Sequence, residues 1–493
     1  MNNTKDGDVI VIGSGFGGSI AASRLARAGS KVLLFERGPW RDTAPVRAMG
    51  IAGRAPLPYG ARAYSHLLRG ASWNGRHLGL NRAGLLELAM HPGLNIVTSS
   101  SVGGGSHVWA GMLERPHAPD YWQGHHPLLA PGQVEQYYDR IIADLGAERA
   151  TRSDAIPNSI WSHLPGAGRC QPAATQPCTA LQLEEHVQRG AGPPGTLASV
   201  ARAACRFDGD GFLGSRHGAK ATLDAIYLAP ALGCGLTVRE LCEANRITRA
   251  ADGYTVHYTD LRTGRAGTAR ATTIVLAAGT MNTLQLLFAS AGALGAMPAL
   301  GRNFGANGDL FGAWLREAAA TPLYRAPPML GRLLVDGASA PWLGLAGMPG
   351  IDTVPMPAFL KRMLARTVPV LGMGIDSGHG AVSWHNGRLR VHYDAAHEAV
   401  YRKIRAGFEV LREERGGKLW LAGKALTMHP WGGASLGADA AHGVIGRHGE
   451  IHGNPGLYIA DGAALPAAPG VPPSLTIAAW AHHVAESLAH RIA

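Results

Sequence analysis

Asp8-Val9-Ile10-Val11-Ile12 opens the chain's hydrophobic pattern as a short apolar run of strand type. Gly13-Ser14-Gly15-Phe16-Gly17-Gly18 follows at once. Apolar positions then recur at helical spacing, Ile20-Ala21-Ala22 and Leu25-Ala26, and stop at Gly29. Lys31-Val32-Leu33-Leu34-Phe35 is a second strand, ending on Glu36 and followed by Arg37. Strand, glycine turn, helix and acid-terminated strand predict a dinucleotide-binding βαβ unit. Gly13 permits the tight turn, Gly15 lets backbone approach a pyrophosphate, and Gly18 lets helix and strand pack closely. The pyrophosphate would sit at the helix N-terminus, among unpaired N–H groups. Glu36, 23 residues after Gly13, would accept from ribose hydroxyls. The pattern alone leaves NAD and FAD both open.

Further along, the pattern breaks and resumes. Residues 39–91 are irregular, rich in Arg, Gly and Pro, and read as loops and short helices. Leu94-Asn95-Ile96-Val97 is extended and leads into Ser99-Ser100-Ser101-Val102-Gly103-Gly104-Gly105-Ser106-His107-Val108-Trp109-Ala110-Gly111-Met112. Three consecutive glycines flanked by Val, Trp and Met predict backbone lying along a ligand rather than a solvated linker. Strands are expected at 236–239, 254–258 and 271–276, the last ending in Ala-Ala-Gly before a helix over 281–290. Residues 313–424 read as a second, mixed domain. Within it, 355–370 is both apolar and basic (Lys361, Arg362, Arg366) and is expected to be a buried helix with a solvated basic edge, with an amphipathic helix at a membrane or substrate mouth as the alternative. At the C-terminal end, Leu457-Tyr458-Ile459-Ala460-Asp461-Gly462 predicts a strand ending on an acid at a sheet's carboxyl edge, and a long helix closes the chain.

Composition narrows this picture. With 46% hydrophobic and 16% charged residues over 493 positions, the chain is globular and long enough for two or three domains' worth of core. The net charge of +11 is dispersed, with no Lys/Arg block, zinc-finger spacing or RNP-like segment, which argues against a nucleic-acid partner. Five cysteines, none in a CxxC pair, suit reduced thiols in a cytoplasmic protein rather than a disulfide framework or a metal site. The adjacent pairs His125-His126 and His482-His483 do not easily put two rings on one metal. The N-terminus reads as free of a signal peptide, and no apolar run reaches transmembrane length.

Taken together, Val102-Gly103-Gly104-Gly105-Ser106, Gly301-Arg302-Asn303-Phe304-Gly305-Ala306-Asn307-Gly308-Asp309, His429-Pro430-Trp431-Gly432-Gly433 and Asp461-Gly462, in this order behind the N-terminal fingerprint, resemble the GMC (glucose–methanol–choline) flavoprotein oxidoreductases, in their cholesterol oxidase-like branch. The resemblance spans the whole chain. It implies an α/β fold: a discontinuous Rossmann-like FAD-binding domain (1–115, 215–312 and 425–493) and an interleaved α+β substrate-binding domain on an antiparallel sheet that roofs the flavin (116–214 and 313–424). It implies FAD. Gly13, Gly15 and Gly18 then hold the pyrophosphate, with Ser14, Phe16 and Gly17 in the same turn. Glu36, followed by Arg37, lies on the adenine-side ribose, and the backbone of Val238 meets the adenine. Gly104 and Gly105 run along the flavin. Trp109, Ala110 and Met112 flank the isoalloxazine, Asp461 lies by the ribityl–pyrophosphate part, and Pro472 and Pro473 lie at the flavin end. Some family members tether FAD through a histidine in the glycine-rich segment. His107 aligns one residue away from that place, so non-covalent FAD is expected.

His429 matches the family's catalytic histidine, and an imidazole suits the task, because oxidising an alcohol requires removal of the O–H proton as hydride leaves for the flavin. Two departures stand out. Where the family commonly has Asn or a second His, this chain has Pro472, which lacks a polar side chain; Ser474 and Thr476 are nearby. The stretch 361–366 also lacks the acid that cholesterol oxidases use for double-bond isomerisation; Asp336 and Asp352 are the nearest substitutes, both more in keeping with surface loops. The expected function is therefore oxidation of a small hydrophobic, sterol-like or natural-product alcohol, with oxygen or another acceptor reoxidising the flavin. The alternatives are a desaturation, isomerisation, cyclisation or decarboxylation on the same fold, and a flavoprotein reduced to a binding module.

Overall fold

Val9–Ile12 is a strand buried from end to end, as a continuous apolar run requires when both faces of a sheet are covered. The computed structural model describes residues 5–73, 75–149, 156–183, 203–317 and 321–492. Val9–Ile12 is the middle strand of a five-stranded parallel sheet. Val32–Glu36 and then Leu236–Glu240 lie on one side, and Thr273–Leu276 and then Leu457–Ile459 on the other. The helix Phe16–Arg27 connects the first two strands and packs against the long C-terminal helix Ser474–Ile492. The sheet thus gathers strands from both ends and the middle of the sequence, and its carboxyl edges are the turns at Gly13, Ala277 and Ala460.

A second sheet of six antiparallel-paired strands carries Met329–Val335, Ala338–Ala346, Thr367–Met373 and Leu310–Leu315, with Cys170–Pro172 and Lys418–Leu421 at its edges. The helix Ala399–Arg415 covers one face of it through Ile404, Gly407, Phe408 and Leu411.

Two expectations are corrected. Within residues 39–91, Leu68–Trp73, Arg76–Gly79 and Leu86–Met90 are strands, joined by Leu94–Ser99 and Ala425–Thr427 in a five-stranded sheet. Arg76–Gly79 is exposed throughout and Leu86–Met90 is only half-buried. No apolar alternation therefore marks them, and backbone pairing defines them instead. The apolar–basic segment forms the helix Ala358–Arg366, of which no residue is buried; Phe359 and Met363 face solvent. Its apolar continuation, Thr367–Met373, is the buried strand. All five cysteines are free. Among the described residues no helix is long and apolar enough to cross a membrane.

Candidate active site

The fingerprint turn sorts its glycines by what surrounds them. Gly13 has φ +95°, and a Cβ there would overlap Ala277 O. Cβ atoms on Gly17 and Gly18 would overlap Ala460 O and Gly13 O, so these two are packing glycines. Gly15 differs: it begins the helix without a side-chain cap, and a Cβ on it would meet nothing within 4 Å. The same open space lies before Gly105, in the glycine-rich strap, and before Gly279, which begins the helix Thr280–Ser290. Gly104 lies backbone to backbone on Gly15; its Cβ would sit 2.5 Å from Gly15 Cα. Uncapped helix starts and bare glycine faces at the carboxyl edge of a parallel sheet form a cradle for a dinucleotide, and the residues present fit FAD.

Ser14 ties the parts together. Its hydroxyl donates to Glu36 Oε2 (2.6 Å) and accepts from Gly103 N (3.1 Å). Glu36 also accepts from Ser14 N (3.0 Å) and Gly38 N (2.7 Å), which leaves part of its acceptor capacity free. Arg37 pairs with Glu87 and Glu243. Val238 lies in register with Leu34 on the sheet's edge strand. Phe16 meets Trp109 edge to face at 5.0 Å. The fully buried Lys220 donates to the carbonyls of His107, Trp109 and Gly211, and burial lowers its pKa to about 7. The strap's course is thus set by the protein itself. His107 is fully buried, with Nε2 2.8 Å from Val102 O and 3.5 Å from Asp224.

Asp461 is fully enclosed. Its oxygens accept from Gly279 N (2.9 Å), Thr283 Oγ1 (2.5 Å) and Ala463 N (3.0 Å), and burial lifts its pKa to about 6. It therefore fixes the start of the 280–290 helix. Thr280 of that helix donates to Pro430 O (2.6 Å), which brings His429 to the cradle.

His429 is half-buried, and its Nδ1 lies 3.0 and 2.9 Å from the two oxygens of Asp309. Asp309 Oδ2 accepts in addition from Thr427 Oγ1 (2.8 Å) and Met428 N (3.1 Å). Nε2 of His429 has no hydrogen bond among the described residues. Two positions before Asp309, the Asn307 amide accepts from Gly470 N (2.9 Å) and donates to Val471 O (2.9 Å). One short turn therefore grips both the imidazole and the loop that carries Pro472 and Pro473. Behind it, Asp376 accepts from Trp431 Nε1 (2.9 Å), Ala306 N (2.6 Å) and Tyr393 Oη (2.9 Å); burial raises its pKa to about 6.

Met112 and Val471 belong to a small apolar cluster with Met329, Trp342, Leu371 and Met373 of the six-stranded sheet, adjoined by Ala110 and Phe311. Ser474 donates to Met112 O (3.0 Å), and the buried Thr476 hydroxyl has no partner, so neither is aligned with His429 through a hydrogen bond. Asp336 lies on an exposed turn, paired with Arg169, and Asp352 lies in the turn before the exposed helix. The carboxylate bordering the apolar cluster is Glu114, which accepts from Trp342 Nε1 (2.6 Å) and Arg332 Nη1 (2.9 Å) and whose pKa burial raises. Sequence reasoning passed over Asp309, Glu114 and Asp376. Asp309 alone had a signal, its place at the end of the quoted 301–309 segment. Among the described residues no group of His, Cys, Asp and Glu could hold a metal.

Two family models described as GMC oxidoreductase match residues 80–307 and 388–481, and one described as an NAD(P)-binding Rossmann-like domain matches 11–68. The chain belongs to the GMC oxidoreductase family. Membership implies a flavin cofactor. A cholesterol oxidase of Mycobacterium tuberculosis is 28% identical to this GMC oxidoreductase, over 97% of this chain and 90% of that one. A long-chain-alcohol oxidase of Arabidopsis thaliana is 22% identical, over 98% and 67%. In three dimensions the chain is similar to pyridoxine 4-oxidase from Mesorbium loti, with TM-score 0.58, 17% identity and coverage of 98% and 99%. A fungal aryl-alcohol oxidase gives TM-score 0.58 at 13% identity, over 99% and 100%.

Proposed function

We propose that this GMC oxidoreductase binds FAD without a covalent tether and oxidises a hydrophobic alcohol, with His429 Nε2 taking the hydroxyl proton. The observation that carries the reading is the pairing of His429 Nδ1 with a buried carboxylate, while Nε2 has no hydrogen bond among the described residues and the adjoining Pro430 is tied to the cradle by Thr280. The cofactor contacts expected of Gly13 to Gly18, Glu36, Arg37, Gly104, Gly105, Trp109, Ala110, Met112, Val238, Asp461, Pro472 and Pro473 belong to the same proposal, as does the division into 1–115, 215–312 and 425–493 for FAD and 116–214 and 313–424 for substrate. Bound along these glycines, FAD supplies the two-electron acceptor for the hydride that leaves the carbinol carbon. His107 is buried with its Nε2 on Val102 O, which supports a cofactor held without a histidyl bond. The Met112, Met329, Trp342, Leu371 and Met373 cluster offers an apolar wall, and flexible methionines adapt to irregular apolar substrates. Relatives that oxidise a sterol, a long-chain alcohol, pyridoxine and an aryl alcohol support the CH–OH class without choosing among them. Oxygen or another acceptor completes the cycle. The exposed basic helix Ala358–Arg366 is proposed to touch a membrane surface peripherally.

The test is anaerobic mixing of the purified holoenzyme with cholesterol, 1-dodecanol, pyridoxine and benzyl alcohol, followed by flavin absorbance. At least one should bleach it, and His429→Ala should slow that bleaching by about 10²–10⁴-fold at unchanged flavin content. Unchanged bleaching in the variant removes His429 from the role. Pro472 favours one second reading, a reaction with no net redox change; it predicts product with the flavin still oxidised at the end.

A further inference from the structure

The functional reading leaves one gap: position 472, where the family commonly has Asn or a second His, offers no polar side chain. We propose that Asp309 is a positioning residue that fixes His429 as the Nδ1–H tautomer, so that the orientation of the base comes from behind the ring. This inference rests on His429 being the proton acceptor.

Three observations carry it. Asp309 is 1% exposed, and among the described residues no Lys or Arg pairs with it; its charge is answered by Met428 N, the Thr427 hydroxyl and the imidazole. An ionised carboxylate only accepts, so the imidazole nitrogen facing it must carry the proton. The lone pair of the neutral ring is then on Nε2, the nitrogen without a hydrogen-bond partner among the described residues. When Nε2 takes a proton from a hydroxyl, the O–H bond breaks, an N–H bond forms, and the imidazolium rests directly on the Asp309 carboxylate. Finally, Asp309 is held before any substrate arrives. The Thr427 hydroxyl that donates to it accepts from His429 N (2.8 Å), and the turn itself is anchored by Asn307 on Gly470 and Val471. Ser474 does not compete, since its hydroxyl is committed to Met112 O.

Asp309→Asn makes a sharp test. Oδ2 serves two donors besides the ring, so the amide oxygen should take its place and the amide nitrogen should face Nδ1. That geometry pushes the ring proton onto Nε2. In ¹⁵N-histidine-labelled protein, with the His429 resonances identified by their loss in His429→Ala, wild type should show Nδ1 protonated and Nε2 bare. Asp309→Asn should reverse this. With whichever alcohol of the panel bleaches the flavin fastest, the limiting rate of bleaching should fall by about 10²–10⁴-fold. The apparent substrate Kd and the flavin-to-protein ratio should stay as in wild type. An Nε2–H tautomer in wild type would overturn the proposal even if the variant failed to fold, and so would an unchanged tautomer or limiting rate in a folded variant. A His429→Ala enzyme that still bleaches normally would instead defeat the functional reading and leave the tautomer assignment standing.

Discussion

At Gly15 a side chain would have room in the protein and none beside a pyrophosphate. Its φ of −71° suits any L-residue, and a Cβ there meets open space. Gly15→Val should therefore melt close to wild type as apoprotein yet purify without flavin, as read from the ratio of flavin absorbance to protein. Gly17 is the contrasting case, because a methyl group there overlaps Ala460 O and should cost about 1–3 kcal/mol of stability. A second prediction at this scale concerns Asp376. Its folded-state carboxyl holds a proton up to about pH 6, against an ordinary value of 3.8, because burial penalises the charge more than Ala306 N, Trp431 and Tyr393 relieve it. The folded state thus binds the proton more tightly than the unfolded one. The group's contribution is greatest below pH 3.8 and falls as pH rises to about 6, by on the order of 2–3 kcal/mol. Thermal melts from pH 4 to 7 should show wild type losing stability relative to Asp376→Asn across that window, with the difference level above it. The tight turn at Gly13 and the close packing at Gly18 were legible in the sequence because their spacing encodes them. Asp309 and Asp376 were harder to read, because each meets its decisive partner across 120 and 55 positions; the place of Asp309 in the 301–309 segment was a signal, and Asp376 had none.

Among the elements, legibility followed burial. The strands 9–12, 32–36 and 273–276 are buried throughout and read directly as apolar runs. Apart from Arg69 and Gly70, the strands between 68 and 90 are exposed or half-buried and left no pattern. The helix Ala358–Arg366 misled for a related reason: its apolar and basic residues are interleaved, and the apolar run that suggested a core belongs to the following strand. Phe359 and Met363 are 61% and 43% exposed beside Lys361, Arg362 and Arg366, and Tyr64 reaches across to Pro355 O next to them. Such a face suits an anionic lipid surface. The protein should co-sediment with vesicles containing phosphatidylserine at low salt. Phe359→Asp together with Arg362→Glu should abolish this and leave bleaching by a water-soluble alcohol unchanged. Equal sedimentation by the variant would dismiss the contact.

Over the whole molecule, the candidate site draws on residues 13–18, 102–112, 279–283, 307–309, 427–431 and 461–474, and no single stretch contains it. Sequence order separates pieces that the parallel sheet brings to one edge. The motifs could be read one at a time, but their meeting could be expected only from the family resemblance. The six-stranded sheet closes over that edge through the cluster of Met112 and Val471 with Met329, Trp342 and Met373.

The Asn307 clamp has a practical reach in protein engineering. Because Gly470 and Val471 are held through their backbone by an amide on another segment, the path of that loop is not dictated by the proline ring next to it. Position 472 is therefore a replaceable cartridge in a fixed holder. Asparagine or histidine can be installed there to ask what the common family partner adds, with the His429–Asp309 contact left in place.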